Sequence, residues 1–153
     1  MDWGVFLTFL AATGAAATTG AMFKPGAWYM GLRKPFWFPP NWVFPVAWTT
    51  LYLVMSYAAM RVAGLSGNGQ ALAFWAVQIA LNTLWTPIFF GLHRMRAAMV
   101  VMVLLWLAVA ATTYQFFQVD YVAGLLFVPY LVWVCIAFAL NAASILLNRE
   151  VPG

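Results

Sequence analysis

Residues 121–148 read YVAGLLFVPYLVWVCIAFALNAASILLN, a run without a single charged side chain. An α-helix rises about 1.5 Å per residue, so about 20 mostly apolar residues cross the hydrocarbon core of a bilayer. The run is therefore long enough to span a membrane as one helix. A soluble domain has no interior large enough to hide several such runs from water.

Four more uncharged stretches precede this one, and short charged segments separate them. They are residues 3–23, 35–60, 62–92 and 97–119. Apolar residues make up 66% of the chain and charged residues only 7%, against about 25% charged in ordinary soluble domains. The sequence predicts an all-α integral membrane bundle of five transmembrane helices, at about 4–23, 42–61, 71–90, 97–117 and 121–147, in a single domain over residues 1–153. The first stretch is interpreted as a retained helix because no basic segment precedes it.

The charged residues indicate the topology. Five crossings place Asp2, Arg61 and Asp120 on one side of the membrane. The other side receives most of the basic residues, namely Lys24, Arg33, Lys34, Arg94, Arg96 and Arg149. Under the positive-inside rule this second side faces the cytoplasm. The basic residues form no stripe, so the net charge of +4 does not indicate a nucleic-acid partner.

Ionisable residues are missing from the middle of every predicted helix. Ion-coupled and proton-coupled transporters place such groups at membrane depth, so a coupled pump is not indicated. The single histidine, His93, lies in a basic loop, and the single cysteine, Cys135, is interpreted as a small buried residue of the last helix. Without a cluster of His, Cys or carboxylates, the sequence predicts no metal site and no conventional catalytic centre.

One long connection, residues 24–41, is dense in Trp, Phe and Pro. A merely solvated linker would be polar, so we expect this non-helical loop to cap one end of the bundle. Asn41 follows two prolines and is the expected N-cap of the second helix. Pro87 is expected to disturb the end of the third helix, and Pro129 to kink the fifth.

Nine tryptophans fall into two groups by their position along the predicted helices. Five lie near helix ends and fit an interfacial belt, namely Trp3, Trp28, Trp37, Trp42 and Trp75. Four lie deeper, namely Trp48, Trp85, Trp106 and Trp133. The deeper group indicates an interior rich in aromatic rings.

Polar and aromatic residues recur at helical spacing on three of the helices. The sets are Trp48, Tyr52 and Ser56 on the second helix, Gln78, Asn82 and Trp85 on the third, and Tyr130, Trp133, Ala137 and Asn141 on the fifth. Each set lies on one face of its helix. Two interpretations are open: the polar groups form hydrogen bonds between helices, or the faces enclose a cavity for a large, flat, mostly apolar ligand.

Small residues mark one further face, at Ala76 and Ala80 of the third helix. A small residue every fourth position lets two helices approach closely. The spacing is compatible with association between two copies and equally with packing inside the bundle.

Four ordered blocks carry a resemblance to a known family. They are Trp28-Tyr29-x-x-Leu32-x-Lys34-Pro35-x-Trp37-x-Pro39-Pro40-x-Trp42, then Trp48-x-x-Leu51-Tyr52, then Leu81-Asn82-x-x-Trp85-x-Pro87-Ile88-Phe89-Phe90-Gly91, and finally Pro129-Tyr130-Leu131-x-Trp133 continuing to Leu140-Asn141. Nearly the whole chain resembles the TspO/translocator protein family, the tryptophan-rich sensory proteins that include the mitochondrial peripheral benzodiazepine receptor.

The resemblance implies a homodimer of five-helix bundles, each with a cavity beneath the loop between the first two helices. It implies binding of porphyrins such as protoporphyrin IX and haem, of sterols such as cholesterol, and of synthetic isoquinoline carboxamides or benzodiazepines, with no obligatory cofactor. Family pocket positions correspond to Trp48, Tyr52, Asn82, Trp133 and Ala137, with Trp28 and Trp37 contributed by the capping loop.

The resemblance also implies a membrane sensor or receptor that takes part in tetrapyrrole transport or in the regulation of tetrapyrrole metabolism. Light-dependent degradation of a bound porphyrin, with Trp48 and Trp133 as electron donors, is the enzymatic alternative, and a structural or regulatory membrane partner is the third. Residues 140–149 lack the tyrosine of the eukaryotic sterol motif, which argues against tight cholesterol binding and favours a bacterial member.

Overall fold

The structure, a computed structural model, describes residues 2–23 and 26–150. Its helices are α1 (Trp3–Met22), α2 (Ala27–Met30), α3 (Val43–Ala63), α4 (Gly69–Thr86), α5 (Met95–Val119) and α6 (Tyr121–Leu147). A π-helical turn, Pro87–Gly91, continues α4. Five helices in the described ranges, all except α2, are long and apolar enough to cross a membrane. The predicted five-helix membrane bundle is confirmed.

Two aspartates start the first and last spanning helices. The Asp2 carboxylate accepts the Val5 N–H at 3.1 Å, and the Asp120 carboxylate accepts the Val122 N–H at 3.4 Å. A carboxylate at this position satisfies a free N–H group and interacts favourably with the positive end of the helix dipole. Both residues therefore fix where a helix enters the membrane.

The predicted Asn41 cap is wrong. Helix α3 starts at Val43, with Trp42 in the N-cap position and no side-chain hydrogen bond there. The chain enters this helix through a turn in which the Val43 N–H bonds to the Pro40 carbonyl at 3.0 Å, so the helix begins beyond Asn41. The Asn41 amide instead contacts the Met30 sulfur at 3.9 Å.

Each spanning helix packs against at least two others in the bundle. Helix α5 contacts α6 and α4, and α3 contacts both α1 and α6. The interior is filled by large side chains that include Met55, Met102, Phe116 and Phe127. Helix α1 buries only Thr13 and Ala16 among its residues, so most of its apolar surface faces lipid.

The turn between α5 and α6 depends on one glycine. A Cβ atom added at Gly124 would lie 2.4 Å from the ring of Phe117, much closer than real Cβ contacts. Because Gly124 lacks that atom, α6 turns back against α5 at once after Asp120.

Contacts at the two ends of the bundle agree with the predicted topology. At one end the Arg61 Nε donates to Asp120 Oδ2 at 2.7 Å. At the other end Asn148 bonds to the backbone of Arg33. Residues assigned to the same side of the membrane are thus neighbours in space.

Three further predictions about the elements are corrected. Trp75, expected at the interface, is 3% exposed and donates its indole N–H to the Met55 carbonyl at 3.3 Å. Cys135, expected to be buried, is exposed on the outside of α6. Apolar residues in a membrane helix face lipid as readily as protein, so composition alone does not predict burial. The capping loop, expected to be non-helical, contains the single turn of α2.

Pro87 has the predicted effect on its helix. The chain leaves α-helical geometry at this residue and forms the π-helical turn up to Gly91. Proline lacks the N–H that would continue the ladder, which explains why the irregularity falls there. Pro129 lies inside α6, which continues on both sides of it.

Candidate functional site

A chain of side-chain hydrogen bonds crosses the bundle interior between α3, α4 and α6. The Tyr52 hydroxyl donates to Asn82 Oδ1 at 3.0 Å, and Asn82 Nδ2 donates to the Tyr130 hydroxyl at 2.9 Å. The Tyr130 hydroxyl then donates to Gln78 Oε1 at 2.7 Å. The amides and hydroxyls of three helices are therefore satisfied by one another, which the low dielectric of the interior makes important.

A second polar connection lies closer to the end of the bundle where α5 begins. The Trp85 indole N–H donates to Asn141 Oδ1 at 2.9 Å, and Asn141 Nδ2 donates to the Met95 carbonyl at 3.1 Å. Together these two groups of hydrogen bonds between helices account for most of the polar residues that recur on one face of α4 and of α6. That interpretation, left open by the sequence, is confirmed for Gln78, Asn82 and Asn141.

The aromatic side chains of α3 and α6 form one cluster next to this network. Trp48 stacks on Tyr52 with 5.5 Å between ring centroids, and it meets Trp133 edge-on at 6.1 Å. Tyr130 lies edge-on to Trp48 at 6.3 Å. The cluster presents flat apolar surfaces beside a few fixed polar groups, the composition that is typical of ligand sites.

One atom of this cluster has no hydrogen-bond partner. Among the residues that the structure describes, Trp133 Nε1 is the single buried side-chain nitrogen or oxygen left unpaired. An unsatisfied buried donor costs about 1–3 kcal/mol, so such atoms are uncommon and mark places where a partner is missing. A ligand that carries a hydrogen-bond acceptor would supply that partner.

A small cavity lies beside Trp48, the neighbour of Trp133. Its volume of about 10 Å³ is enough for about one water molecule. Its walls are formed by Trp48, Asn82, Trp85, Met102, Val134 and Ala137, among others. In this conformation aromatic rings occupy most of the space that the sequence predicts for a ligand.

Rings from the capping loop contribute to this closure. Tyr29 and Phe38 lie 5.9 Å apart, Phe38 and Phe44 5.7 Å, and Phe44 meets Trp133 edge-on at 5.7 Å. A continuous series of ring contacts thus leads from the loop to the interior cluster. We call residues 26–42 the lid.

Asn148 holds the lid to the end of α6, and Lys34 forms hydrogen bonds within the lid itself. Asn148, which is 3% exposed, accepts the Arg33 N–H at 2.8 Å and donates to the Arg33 carbonyl at 2.9 Å. Lys34 Nζ donates to the carbonyls of Tyr29 and Leu32 at 2.9 and 3.2 Å and lies 4.6 Å from the centre of the Tyr29 ring. Burial raises the pKa of the Tyr29 phenol, so it stays neutral under this ammonium group.

The structure brings five of the seven predicted site residues together. Trp48, Asn82 and Ala137 line the cavity, while Tyr52 and Trp133 contact Trp48. The two remaining residues lie on the lid, away from this cluster. Trp28 stacks on His93 at 4.4 Å, and Trp37 is 42% exposed.

Sequence reasoning missed several residues that shape the site. Met102 and Leu105 of α5 and Thr86 of α4 line the cavity, Phe44 contacts the Trp133 ring, and Asn148 bonds to the lid. The α5 residues belong to a uniformly apolar run without a polar neighbour to single them out. Asn148 could have been singled out as a polar residue at the end of an apolar helix. Its partner, Arg33, could not have been found from the local pattern, because it lies 115 positions away.

Comparison with known proteins identifies the architecture. A profile of the TspO/MBR family matches residues 5–147 of the chain. The chain belongs to the TspO/MBR family. It is 61% identical over 152 residues to the tryptophan-rich sensory protein of Cereibacter sphaeroides, covering 99% of this chain and 96% of the relative.

Other TspO/MBR relatives extend from bacteria to mammals. The chain is 56% identical to protein CrtK of Rhodobacter capsulatus, covering 97% of this chain and 95% of the relative. It is 37% identical to the human translocator protein, covering 91% of this chain and 87% of the relative. Its five spanning helices and its identity to bacterial relatives make it a multi-pass membrane protein of bacterial type, in a family of sensors and translocators.

The described side chains around the cavity are mostly aromatic and apolar, with one amide, that of Asn82. Within residues 2–23 and 26–150, no three His, Cys, Asp or Glu side chains are grouped so that they could hold a metal ion. What the site offers is stacking surfaces, amide groups and one unpaired indole N–H. Groups of this kind are typical of sites that bind and orient small ligands.

Proposed function

We propose that this TspO/MBR protein is a membrane receptor for tetrapyrroles, with protoporphyrin IX and haem as representative ligands, and that it serves their transport or the regulation of their metabolism. The ligand lies among Trp48, Trp133 and Asn82. Indole and phenol rings stack on its flat face, and amides meet its polar edge. Membership of a family of sensors and translocators supports a receptor role.

The observation that carries this proposal is the unpaired indole N–H of Trp133. The hydroxyls of Tyr52 and Tyr130 and the amide of Asn82 have partners on neighbouring helices. A tetrapyrrole carries carboxylates at its edge, and a carboxylate that accepts from an N–H forms one of the stronger hydrogen bonds. A ligand with a flat apolar body and an acidic edge therefore satisfies both the rings and the free donor.

Binding requires the site to open. A space for about one water is far smaller than the 300–1,000 Å³ that is usual for small-molecule sites. The lid rings are the elements that can move without breaking the hydrogen-bond network between α3, α4 and α6. We therefore place the ligand's route beneath the lid, with separation of Arg33 from Asn148 as the opening step.

A titration of protoporphyrin IX into the purified protein tests the proposal, with the shift of the pigment's Soret absorbance as readout. Trp133→Phe keeps an aromatic ring, although a smaller one than indole, and removes the N–H, and we expect about tenfold weaker binding from the loss of one hydrogen bond to a charged acceptor. Trp106→Phe is the matched control, because that indole donates to Cys135 at the outside of the bundle. Equal affinity in the native chain and Trp133→Phe would contradict the assigned place, and no saturable binding at all would contradict the function.

We also propose a homodimer formed through α4. Ala76 and Ala80 are exposed on this helix, where small side chains would let a second copy approach closely. Mass measurement in mild detergent should give twice the mass of one chain, and Ala80→Phe should shift the population towards monomer. A monomer in the unsubstituted protein would rule out this assembly.

A further inference from the structure

A second recess lies at the end of the bundle opposite to the lid. It encloses about 420 Å³ between the start of α1, the end of α3 and the turn from α5 to α6. Its wall combines charged residues, Asp2, Arg61 and Asp120, with apolar ones that include Val5, Met60 and Leu65. The volume is within the range of small-molecule sites, whereas the interior cavity is not.

Arg61 is the centre of the charged part. Its Nε donates to Asp120 Oδ2 at 2.7 Å, its guanidinium lies 6.0 Å from the centre of the Tyr57 ring, and its side chain is 27% exposed. A guanidinium carries five N–H donors in a fixed fork, more than Asp120 and Tyr57 use. The group is thus held in place, accessible, and shaped to meet phosphate.

The charges in the recess favour a ligand that carries both signs. Among the described residues, the wall carries one guanidinium, which is paired with Asp120, and a second carboxylate, that of Asp2, so a plain anion gains little net attraction. A plain cation would leave the guanidinium without an added partner. A zwitterion with a phosphate and an ammonium group complements both parts of the wall.

The position of the recess indicates a lipid instead of a soluble zwitterion. It is formed by helix ends and by residues 63–65, at the level where membrane helices meet headgroups. Trp3, beside Tyr57 and 57% exposed, is typical of the interfacial belt at this level. Val5 of α1 lies in the wall, and α1 buries only Thr13 and Ala16, so the rest of this apolar helix is available to acyl chains.

We propose that this recess binds the headgroup of phosphatidylethanolamine. The phosphate faces Arg61, and the primary ammonium faces the carboxylates of Asp2 and Asp120. A primary ammonium donates three hydrogen bonds to carboxylates. The quaternary ammonium of phosphatidylcholine donates none, and phosphatidylglycerol has no cation, so both bind less well.

Native mass spectrometry of the full chain in detergent tests this, with phosphatidylethanolamine, phosphatidylcholine and phosphatidylglycerol of identical acyl chains titrated in parallel. We expect phosphatidylethanolamine to bind about tenfold more tightly than the other two, the usual effect of one charge-assisted hydrogen bond. Asp2→Asn should reduce the preference, because it removes one of the two carboxylates assigned to the ammonium while its amide oxygen still caps α1. Arg61→Gln should weaken binding of all three phospholipids.

Arg96→Gln is the control, since Arg96 is an exposed basic residue that precedes the spanning part of α5 at the lid end. It should keep the preference. Equal binding of the three lipids, or a preference undiminished in Asp2→Asn, would overturn the proposal. Displacement of the lipid by equimolar glycerophosphoethanolamine would also overturn it, because the acyl chains would then contribute nothing. Porphyrin affinity reports on the other end of the bundle, so either proposal can fail without the other.

Discussion

Asn148→Ala should release the lid and raise the affinity for protoporphyrin IX. The substitution removes the two hydrogen bonds that join the asparagine amide to the backbone N–H and carbonyl of Arg33. Each contributes about 1 kcal/mol net, and the Arg33 groups are solvated once the lid lifts. The closed state loses about 2 kcal/mol relative to the open one, which is about a 30-fold shift in the opening equilibrium.

The expected affinity follows from this shift. A ligand that binds only the open state has its apparent affinity reduced by the fraction of molecules that are open. Where that fraction is small, the apparent Kd of Asn148→Ala falls by up to about 30-fold. Asn148→Asp still accepts the Arg33 N–H but no longer donates to the carbonyl, so its Kd should fall by about fivefold, for one lost bond of about 1 kcal/mol.

Two measurements check this series. Pigment titration gives the apparent Kd, and hydrogen exchange of residues 26–42 reports lid opening without any ligand. Asn68→Ala is the matched control, because the Asn68 amide bonds to the Val62 and Ala63 carbonyls, both at 3.2 Å, at the far end of the bundle. Faster exchange in the lid with an unchanged Kd would refute the role of the lid as a gate, and unchanged exchange would refute Asn148 as its latch.

Three other predictions concern the interior, the ion pair and the indoles. Tyr130→Phe leaves the amide groups of Asn82 and Gln78 without their partner and should lower the free energy of unfolding by about 1–3 kcal/mol. Circular dichroism should show a lower temperature of unfolding. An unchanged temperature would contradict the network. The Arg61 guanidinium lowers the pKa of Asp120 in the folded protein. The pair therefore stabilises the fold at any pH above the ordinary aspartate pKa of about 4. This stabilisation is lost as the pH falls through the lowered pKa of Asp120 in the folded state. Arg61→Gln should therefore flatten the loss of stability below about pH 4 in acid titration, and an identical acid profile would count against the pair. If Trp48 and Trp133 donate electrons to a photoexcited porphyrin, the double Phe variant should retain the Soret band under light that bleaches the native complex, whereas equal bleaching would exclude both indoles.

The spanning helices were the most predictable part of the fold. Long runs without charge have one stable arrangement in a bilayer, a helix that satisfies its own backbone, so their number followed from the spacing of charged residues. Helix ends were less certain. The start of α3 moved past Asn41 because the proline-rich turn before it, and not a side-chain cap, determines where the helix begins.

The site was predictable in part. Helical spacing placed Trp48 with Tyr52, and Trp133 with Ala137, on single faces, and the structure brings these faces together. The same spacing could not distinguish a filled interior from an open cavity, because that depends on the rings of the lid and of Phe44. It also gave no sign that Trp28 stacks on His93 instead of joining the cluster.

The amino-acid sequence by itself determined the membrane location, the number of crossings, the family and the faces that carry polar groups. These follow from local pattern: charge-free length, the spacing of polar residues along a helix, and ordered blocks of Trp, Pro and Asn. Tertiary structure alone decided which polar groups pair, that the site is closed, and that Asn148 holds the lid. Those features join residues on different helices, up to 115 positions apart, and depend on side-chain packing in three dimensions, which no local pattern encodes.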